Sequence, residues 1–476
     1  MKANFINGEW VAGRQGSANI NPSDLDDVID HYAAADARQT AEAIEAARQA
    51  FPAWSCSTPQ QRFDVLDQVG SELLARRDEL GNLLAREEGK TLPEACAEVA
   101  RAGQIFKFFA GEAVRAPGEK LASVRPGVEV EITREPLGVV GIITPWNFPI
   151  AIPAWKIAPA LAYGNTVVFK PADLVPGSAW ALAEILSRTA LPAGVFNLVM
   201  GRGREVGQVL LDDARVQAVS FTGSAATGGR VAQSCAGRLA RYQLEMGGKN
   251  PLVVLDDADL DVAVHCAVQG SFYSTGQRCT ASSRLIVTEG IHDRFVQAMV
   301  EALGRLRVGD ARDPATDIGP VASQDQLDTD LSYIALARQE GATVAFGGES
   351  VSSARRGYYL SPTLLTEASN TMRSSREEIF GPVASIIRAR DYDEALVLAN
   401  DTEFGLTSGI CTTSLARASH FKRHAQAGMV MVNTPTAGVD YHVPFGGRKA
   451  SSFGPREQGR QAADFYTVLK TTYITA

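Results

Sequence analysis

Residues 137–170 read LGVVGIITPWNFPIAIPAWKIAPALAYGNTVVFK, and this stretch decides the fold. The apolar run Leu137–Thr144 predicts a buried strand, Ile152–Tyr163 predicts a helix, and Thr166–Phe169 predicts a second buried strand. Continuous apolar strands that alternate with helices are typical of a parallel sheet covered by helices on both faces. The stretch therefore predicts one repeat of a doubly wound α/β domain.

The same alternation continues along the chain. It predicts a helix at Ala179–Ala190 and further strands at Phe196–Val199, Val216–Phe221 and Tyr242–Glu245. A second set of strands is predicted at Pro251–Leu255, Arg284–Val287, Val383–Arg388, Ser408–Cys411 and Met429–Val432. The sequence thus predicts an α/β protein with two doubly wound domains in series, the first from residues 1–118 and 138–247 and the second from 248–436.

Residues 36–116 predict helices that precede the first sheet. Thr58 followed by Pro59 is typical of an N-cap and the first residue of a helix. Phe63, Leu66, Val69 and Leu73 then recur on one face, as the apolar side of a packed helix does.

Two segments fit neither domain. Val128–Arg134 alternates apolar and charged residues, and Phe465–Ile474 also has the pattern of a strand. Exposed strand edges invite pairing with another chain. We interpret residues 119–137 and 455–476 as a small oligomerisation sheet; the alternative is that both segments pack on their own chain.

Composition excludes several classes of function. The 476 residues are 45% hydrophobic and 21% charged, and the net charge of −8 is spread along the chain without a basic block, which argues against a nucleic-acid partner. No apolar run is long enough for a membrane span. The six cysteines, Cys56, Cys96, Cys235, Cys266, Cys279 and Cys411, form no CxxC pair, so we expect neither disulfides nor a metal site, and a reducing cytoplasmic location.

One cysteine lies in a setting suited to catalysis. Cys279 is surrounded by small and polar residues in STGQRCT (274–280). A neighbouring cation such as Arg278, or a helix N-terminus, would lower the pKa of the thiol and produce a nucleophilic thiolate. The competing interpretation, an inert buried thiol, is the one we assign to the other five cysteines.

Two further motifs carry groups that such a nucleophile needs. Glu245 ends a strand before two glycines in LEMGGKNP (244–251), where a carboxylate could act as a general base or remain a surface charge. Asn147 lies between two prolines in TPWNFP (144–149), where its amide could donate to an oxyanion or only complete a turn.

These three motifs, with EEIFGP (377–382) and PFGG (444–447), resemble the aldehyde dehydrogenase superfamily in order and spacing. The resemblance implies that Cys279 attacks an aldehyde carbon and that the oxyanion lies between the Asn147 side chain and the Cys279 N–H. Loss of hydride to a nicotinamide leaves a thioester, which water activated by Glu245 hydrolyses. Lys156 and Glu457 resemble a pair that supports this base, although a plain salt bridge has the same sequence pattern.

The resemblance also implies that the first domain binds NAD or NADP and that the second is catalytic. Gly201–Gly207 misses the G-x-G-x-x-G pattern by one residue, whereas Phe221-Thr-Gly-Ser224 could place phosphate at a helix N-terminus. Asp173 stands where NAD-preferring members often carry Glu, which slightly favours NAD over NADP. The predicted cofactor residues are Thr144, Pro145, Trp146, Lys170, Asp173, Gly203, Gly207, Phe221, Gly223, Ser224, Met246, Glu378 and Phe380.

The aldehyde is predicted less sharply. Ser451-Ser452 and Gly438–Tyr441 resemble the branch with bacterial 2,5-dioxovalerate (α-ketoglutarate semialdehyde) dehydrogenases, which implies an acid semialdehyde. Its carboxylate would require a cation, for which Arg278 and Arg284 are candidates, although an ion pair within the fold fits Arg284 better. Phe148, Trp155, Arg278 and Phe445 are the predicted pocket residues.

Several alternatives stay open at this point. The pocket could take aromatic or aliphatic aldehydes. A CoA-acylating relative would not need Glu245, and an inactive structural relative would not need Cys279, so both are disfavoured. The resemblance implies a homodimer or homotetramer.

Overall fold

The first sheet is built around the stretch quoted above. The computed structural model describes residues 1–13, 15–116 and 118–475. In this sheet, the five central strands pair with one another in parallel. Two strands at one edge and one at the other edge each pair antiparallel with their inner neighbour. The eight strands, in spatial order, are Glu9–Val11, Asn4–Ile6, Phe196–Leu198, Thr166–Lys170, Val139–Ile143, Val216–Thr222, Arg241–Glu245 and Ser452–Phe453.

The order of the parallel strands determines where a ligand can bind. Numbered along the chain, the five parallel strands lie in the order 3-2-1-4-5. The connections that follow the adjacent strands Val139–Ile143 and Val216–Thr222 therefore run on opposite faces of the sheet. A crevice opens at such a switch point, beyond the carboxyl ends of the strands. The predicted residues Thr144–Asn147 and Phe221–Ser224 follow the two strands that border it.

Helices cover both faces of this sheet. The capping predictions are confirmed: Thr58 accepts a hydrogen bond from the N–H of Gln61 with Pro59 in the first turn, and Ser224 accepts from the N–H of Thr227. The helices of this part of the chain are Ala37–Ser55, Pro59–Ala75, Arg77–Glu88, Leu92–Ala113, Ala151–Ala162, Pro176–Ser187, Gln208–Asp212 and Ala225–Gly237. Pro176 starts its helix three residues before the predicted Ala179, because proline fits the first turn.

The second sheet has seven strands, all parallel except the first. In spatial order they are Thr343–Phe346, Thr363–Ala368, Val383–Ala389, Ser282–Thr288, Asn250–Val254, Thr407–Cys411 and Met429–Val432. Its helices are Leu260–Ser271, Glu289–Leu303, Gln324–Gln339, Arg373–Arg376, Tyr392–Asn400 and Leu415–His424. The two doubly wound sheets and the separate antiparallel sheet confirm the predicted fold class.

The small antiparallel sheet contains Glu119–Ala122, Val128–Pro136 and Thr467–Thr475, with Val128–Pro136 in the centre. The prediction of a strand from Phe465 is wrong at its start. Phe465 and Tyr466 belong to the short helix Ala463–Tyr466, because both rings are buried in the core of the first domain. The strand begins at Thr467, where the chain leaves that core.

Several other strand pairings were not predicted. The hairpin Gln15–Asn21 with Asp24–Ala34 lies near the N-terminus, and Phe404–Gly405 pairs with Arg448–Lys449. Ser452–Phe453 joins the first sheet beside Arg241–Glu245, so residues after the second domain return to the first. This return brings Ser452 opposite Glu245.

Within the described part of the chain, no helix combines the length and the apolar character needed to cross a bilayer. The same residues contain no cluster of three or more His, Cys, Asp or Glu side chains that could hold a metal ion.

Candidate active site

The loop that carries Cys279 has an unusual backbone. Ser274, Thr275 and Gly276 all have positive φ, at 50°, 56° and 66°. A Cβ on Gly276 would lie 2.2 Å from the carbonyl oxygen of Gly381, so only glycine fits there. Left-handed conformations of non-glycine residues carry a cost and occur where surrounding structure enforces them, often at functional sites.

Glu94 is the residue that holds this loop. Its Oε1 accepts from the Ser274 N–H at 2.8 Å, from Ser274 Oγ at 3.0 Å and from Arg278 Nη2 at 2.9 Å. Glu94 lies in the first turn of the helix Leu92–Ala113, 184 residues before Arg278. Glu94 could not be predicted from the sequence, because no local pattern joins it to the cysteine loop.

The predicted activation of the thiol by Arg278 is wrong for this state of the protein. Burial and the charges of Glu378 and Glu245 raise the pKa of the Cys279 thiol to about 12. Arg278 interacts electrostatically with Cys279, but its guanidinium is paired with the Glu94 carboxylate, and the pKa of the thiol remains raised. Cys279 is therefore a neutral thiol here, and it must lose its proton when it attacks.

We expect the reaction of Cys279 with iodoacetamide to accelerate about tenfold per pH unit between about pH 7 and about pH 10, because only the thiolate reacts. With a pKa of about 12, roughly one thiol in ten thousand is ionised at about pH 8. Mass spectrometry of the Cys279 peptide would measure the rate separately from labelling of the exposed Cys56. A plateau below about pH 9 would contradict the raised pKa.

Glu245 ends the strand Arg241–Glu245 and is buried, at 2% exposure. Its Oε2 accepts from Ser452 Oγ at 2.6 Å, while Oε1 is sealed from solvent without a hydrogen-bond partner. Burial, followed by the charge of Glu457, raises the pKa of Glu245 well above its usual value. A carboxylate with a raised pKa is a stronger base than an ordinary one, which suits proton abstraction from water.

Lys156 and Glu457 form the buried ion pair that the sequence suggested. Lys156 Nζ contacts Glu457 Oε1 and also donates to Ser220 Oγ at 2.9 Å. Glu457 is fixed by backbone hydrogen bonds in both directions with Phe445. The pair acts on Glu245 with opposite signs, since Glu457 raises and Lys156 lowers the pKa of that base.

Asn147 reaches the cysteine loop. Its Nδ2 donates to the carbonyl of Gln277 at 2.9 Å, and its own carbonyl accepts from Lys90 Nζ at 2.7 Å. The residue is 2% exposed, so its orientation is fixed. The amide has a second hydrogen that can donate to an oxygen beside Cys279.

The predicted cofactor residues fall mainly at the carboxyl edge of the first sheet. Thr144, Pro145 and Trp146 follow its central strand, and the hydroxyl of Thr144 is buried without a partner. Lys170 ends the neighbouring strand and binds the Asp173 carboxylate at 2.8 Å. Asp173 therefore presents a carboxylate that is already paired with a cation.

A second group surrounds the start of the helix Ala225–Gly237. The Phe221 ring lies against Gly223, where a Cβ would come within 2.6 Å of it. Met246 packs beside Gly228 in the same way, with its sulfur 2.3 Å from the position of a Cβ. Ser224, which caps this helix, is exposed, and an accessible helix N-terminus suits the approach of phosphate.

Glu378, Phe380 and Trp146 form the third group. The Glu378 carboxylate accepts from the Gly248 N–H at 2.8 Å, and burial raises its pKa to about 7. Phe380 has a positive φ of 67°, and its ring meets Trp146 edge-on at 5.5 Å between centroids.

Gly203 and Gly207 differ from the other cofactor candidates. They begin and end a single π-helical turn, and a Cβ on either would meet no atom within 4 Å. Both glycines therefore border open space, and no described protein atom requires a glycine at either position.

Cys279 lines a cavity of about 260 Å³, whose wall includes the helices Leu92–Ala113 and Ala151–Ala162. All four predicted pocket residues line it: Phe148, Trp155, Arg278 and Phe445. The Trp155 and Phe445 rings stack at 5.4 Å, and Lys90 lies 3.7 Å from the centre of the Phe148 ring. The cavity walls thus combine aromatic surface with charge.

Arg284 does not line this cavity. It is buried within the second domain and donates to the carbonyls of Lys249, Leu398 and Ala399. The expected ion pair is wrong, because these neutral acceptors and the Asn370 side chain hold the guanidinium instead. Burial lowers its pKa to about 10.

The comparisons with known proteins agree with this geometry. The model of the aldehyde dehydrogenase family matches residues 10–472. The chain is 43% identical over 99% of its length to an alpha-ketoglutaric semialdehyde dehydrogenase of Bacillus subtilis, covering 97% of that protein. It is 40% identical to a 2,5-dioxopentanoate dehydrogenase of Saccharolobus solfataricus, over 98% of both chains.

A solved structure adds the three-dimensional match. Betaine aldehyde dehydrogenase from Staphylococcus aureus, crystallised with NAD+, superimposes with a TM-score of 0.97 at 34% identity, covering 100% of this chain and 95% of that one. Sequence and fold therefore agree over the full length, and the chain belongs to the aldehyde dehydrogenase family.

Proposed function

We propose that this enzyme oxidises an acid semialdehyde such as 2,5-dioxovalerate to the carboxylic acid, with NAD as the favoured acceptor and NADP as the alternative. The observation that carries the proposal is the cavity at Cys279, which joins the nucleophile to aromatic walls and to the cations Lys90, Arg101 and Arg278. The two semialdehyde relatives support the same substrate class.

The residues at the carboxyl edge of the first sheet fit a nicotinamide dinucleotide. Ser224 caps a 13-residue helix whose N-terminus can receive phosphate. The unpartnered Thr144 hydroxyl and the Lys170–Asp173 pair offer polar groups along the same edge. When bound, the nicotinamide supplies the hydride acceptor for the oxidation. In this assignment, residues 1–118 and 138–247 hold the cofactor and 248–436 carry the nucleophile.

Cys279 begins the chemistry. Its sulfur forms a bond to the aldehyde carbon as the carbonyl electrons move to oxygen, and the thiol proton is released to water in the cavity that Cys279 lines. The Asn147 amide and the Cys279 N–H donate to the new oxyanion. Oxidation leaves a thioester on Cys279.

Glu245 then completes turnover. Its ionised carboxylate removes a proton from water, and the resulting hydroxide attacks the thioester carbon. The carbon–sulfur bond breaks with its electron pair going to sulfur, the acid leaves, and the proton held by Glu245 passes to the Cys279 thiolate, which restores the thiol and the ionised base. Lys156 and Glu457 tune the base by holding opposite charges next to it. Because a base for hydrolysis is present, this route is favoured over acyl transfer to CoA.

Initial rates of nicotinamide reduction test the substrate class. We expect 2,5-dioxovalerate and succinate semialdehyde to exceed benzaldehyde and hexanal by tenfold or more in kcat/KM, about 1.4 kcal/mol of transition-state stabilisation. Each aldehyde is measured with NAD+ and with NADP+. Equal or higher values for the neutral aldehydes would contradict the acid-semialdehyde assignment and leave family membership intact.

We also propose a homodimer or homotetramer in a reducing, cytoplasmic setting. The small sheet supports assembly because its outer strands expose apolar side chains, among them Leu469 at 63% and Tyr473 at 61%. All six cysteines are free thiols, which fits a reducing compartment. Sedimentation measures the assembly state, and a monomer at micromolar concentration would contradict the first part.

A further inference from the structure

The charges that line the cavity do not cancel. Among the described residues that line it, Glu94 is paired with Arg278 at 2.9 Å, and Glu98 is paired with Lys90 at 2.7 Å. Both carboxylates are therefore neutralised by a cation at contact distance. One lining cation, Arg101, is left over.

Arg101 lies on the helix Leu92–Ala113, on the wall of the cavity that also contains Trp155. Its Nη2 donates to Gln458 Oε1 at 3.1 Å, and its guanidinium carbon lies 5.7 Å from the centre of the Trp155 ring. Its Nε is sealed from bulk solvent and has no hydrogen-bond acceptor. Within the described chain, no carboxylate oxygen comes within 4.0 Å of its nitrogens.

Among the described residues, Arg101 has no carboxylate at contact distance. Burial lowers the pKa of Arg101, and the more distant charges of Glu98 and Asp440 oppose this effect only in part. Buried charges are ordinarily paired, because an isolated one loses hydration without compensation. A guanidinium on a cavity wall is suited to receive a carboxylate, which can accept two parallel hydrogen bonds.

We propose that Arg101 is the specificity residue of this enzyme, and that it binds the carboxylate at the far end of the acid semialdehyde. The inference rests on the proposed function and assigns its substrate selectivity to one side chain. Arg278, the candidate chosen from sequence, already has Glu94 as its partner and serves to fix the cysteine loop.

The position of Arg101 agrees with this role. Arg101 and Cys279 line one cavity, and a negative charge on Cys279 acts on Arg101. A substrate with an aldehyde at one end and a carboxylate at the other can therefore occupy both ends of a single pocket. A cationic aldehyde would meet an unpaired positive charge there and bind poorly.

The test compares Arg101→Gln and Arg101→Lys with wild type. Arg77→Gln is the matched control, because Arg77 is an exposed arginine outside the cavity. We expect kcat/KM for 2,5-dioxovalerate relative to hexanal to fall at least tenfold in Arg101→Gln, mainly through KM. The same ratio for Arg101→Lys is expected to lie between those of wild type and Arg101→Gln, since lysine keeps the charge and loses the planar guanidinium. The value of kcat/KM for betaine aldehyde, divided by that for hexanal, is expected to rise in Arg101→Gln.

The proposal would be overturned if the ratio of kcat/KM for 2,5-dioxovalerate to kcat/KM for hexanal stayed within twofold of the wild-type ratio in both variants. That result differs from failure of the proposed function, in which wild type itself would oxidise none of these aldehydes or prefer hexanal.

A binding measurement covers the case in which Arg101→Gln does not fold. We expect 2-oxoglutarate to slow modification of Cys279 by iodoacetamide in wild type and to do so at least fivefold less effectively in Arg101→Lys. Equal protection in the two proteins would overturn the proposal.

Discussion

Cys279→Ala is expected to lower kcat/KM for aldehyde oxidation by at least about 10⁴-fold, equivalent to about 5 kcal/mol of transition-state stabilisation. Alanine cannot form the carbon–sulfur bond on which both the oxidation and the hydrolysis depend. The variant should still fold, because the hydrogen bonds of the thiol come from the backbone N–H groups of Cys279 and Thr280 and alanine removes a single atom from a cavity wall. Initial rates of nicotinamide reduction with 2,5-dioxovalerate provide the measurement.

Cys56→Ala is the matched control, because Cys56 is an exposed free thiol far from the cavity in sequence and is absent from its lining. Its rate should equal that of wild type. If Cys279→Ala retained more than about a tenth of the wild-type rate, the covalent mechanism would be wrong.

Glu245→Gln is expected to separate oxidation from hydrolysis. Glutamine keeps the shape of the side chain and cannot accept a proton from water, so steady-state turnover should fall at least about 100-fold. The first turnover should still release reduced nicotinamide, because a thioester can form before water is needed. Rapid mixing with excess substrate would show a burst approaching one equivalent per active site.

The pH dependence adds a second criterion for Glu245. Burial and Glu457 raise the pKa of Glu245, so the wild-type base becomes ionised only well above the usual range of a glutamate. Wild-type turnover should therefore increase with pH through that raised pKa, and the increase should be absent in Glu245→Gln. Glu9→Gln, at an exposed strand position, is the control. A Glu245→Gln variant with wild-type turnover would exclude this residue as the base.

The sheets could be predicted because their strands are apolar throughout. Val139–Ile143 and Thr166–Lys170 are short apolar runs rich in Val and Ile, whereas the buried helix Ala151–Ala162 between them is longer and rich in Ala, so length and β-branched content separate strand from helix. The hairpin Gln15–Asn21 with Asp24–Ala34 was missed because few of its side chains are fully buried and many are polar, which leaves no clear apolar alternation to detect. Phe465 was assigned to a strand because its burial depends on contacts with distant residues.

In the candidate site, too, some features could be predicted from the sequence and others could not. Cys279, Glu245 and Asn147 were selected by motifs, since each lies in a short stretch of distinctive composition. The state of the thiol could not be predicted, because it depends on Glu378 and Glu245 across the cavity and on the capture of Arg278 by Glu94. In the sequence, Ser452 contributed only to the resemblance to one branch of the family, whereas the pairing of Ser452–Phe453 with Arg241–Glu245 places its hydroxyl on the base.

The ion pair of Lys170 with Asp173 affects how strongly the site can discriminate between NAD and NADP. The two side chains form an ion pair at 2.8 Å, so the carboxylate that would repel a 2′-phosphate is partly neutralised by a neighbouring cation. This pairing reduces the discrimination that Asp173 alone would give. We therefore retain NADP as an alternative to NAD.

The central claim is that the substrate carbon becomes an acyl group on Cys279. Intact-protein and peptide mass spectrometry of Glu245→Gln, quenched in acid after mixing with 2,5-dioxovalerate and NAD+, tests it most directly. We predict a mass increase equal to the acyl group, confined to the peptide that contains Cys279 and absent without NAD+. An unmodified Cys279 during a full burst of nicotinamide reduction, or an acyl group on another cysteine, would contradict the account.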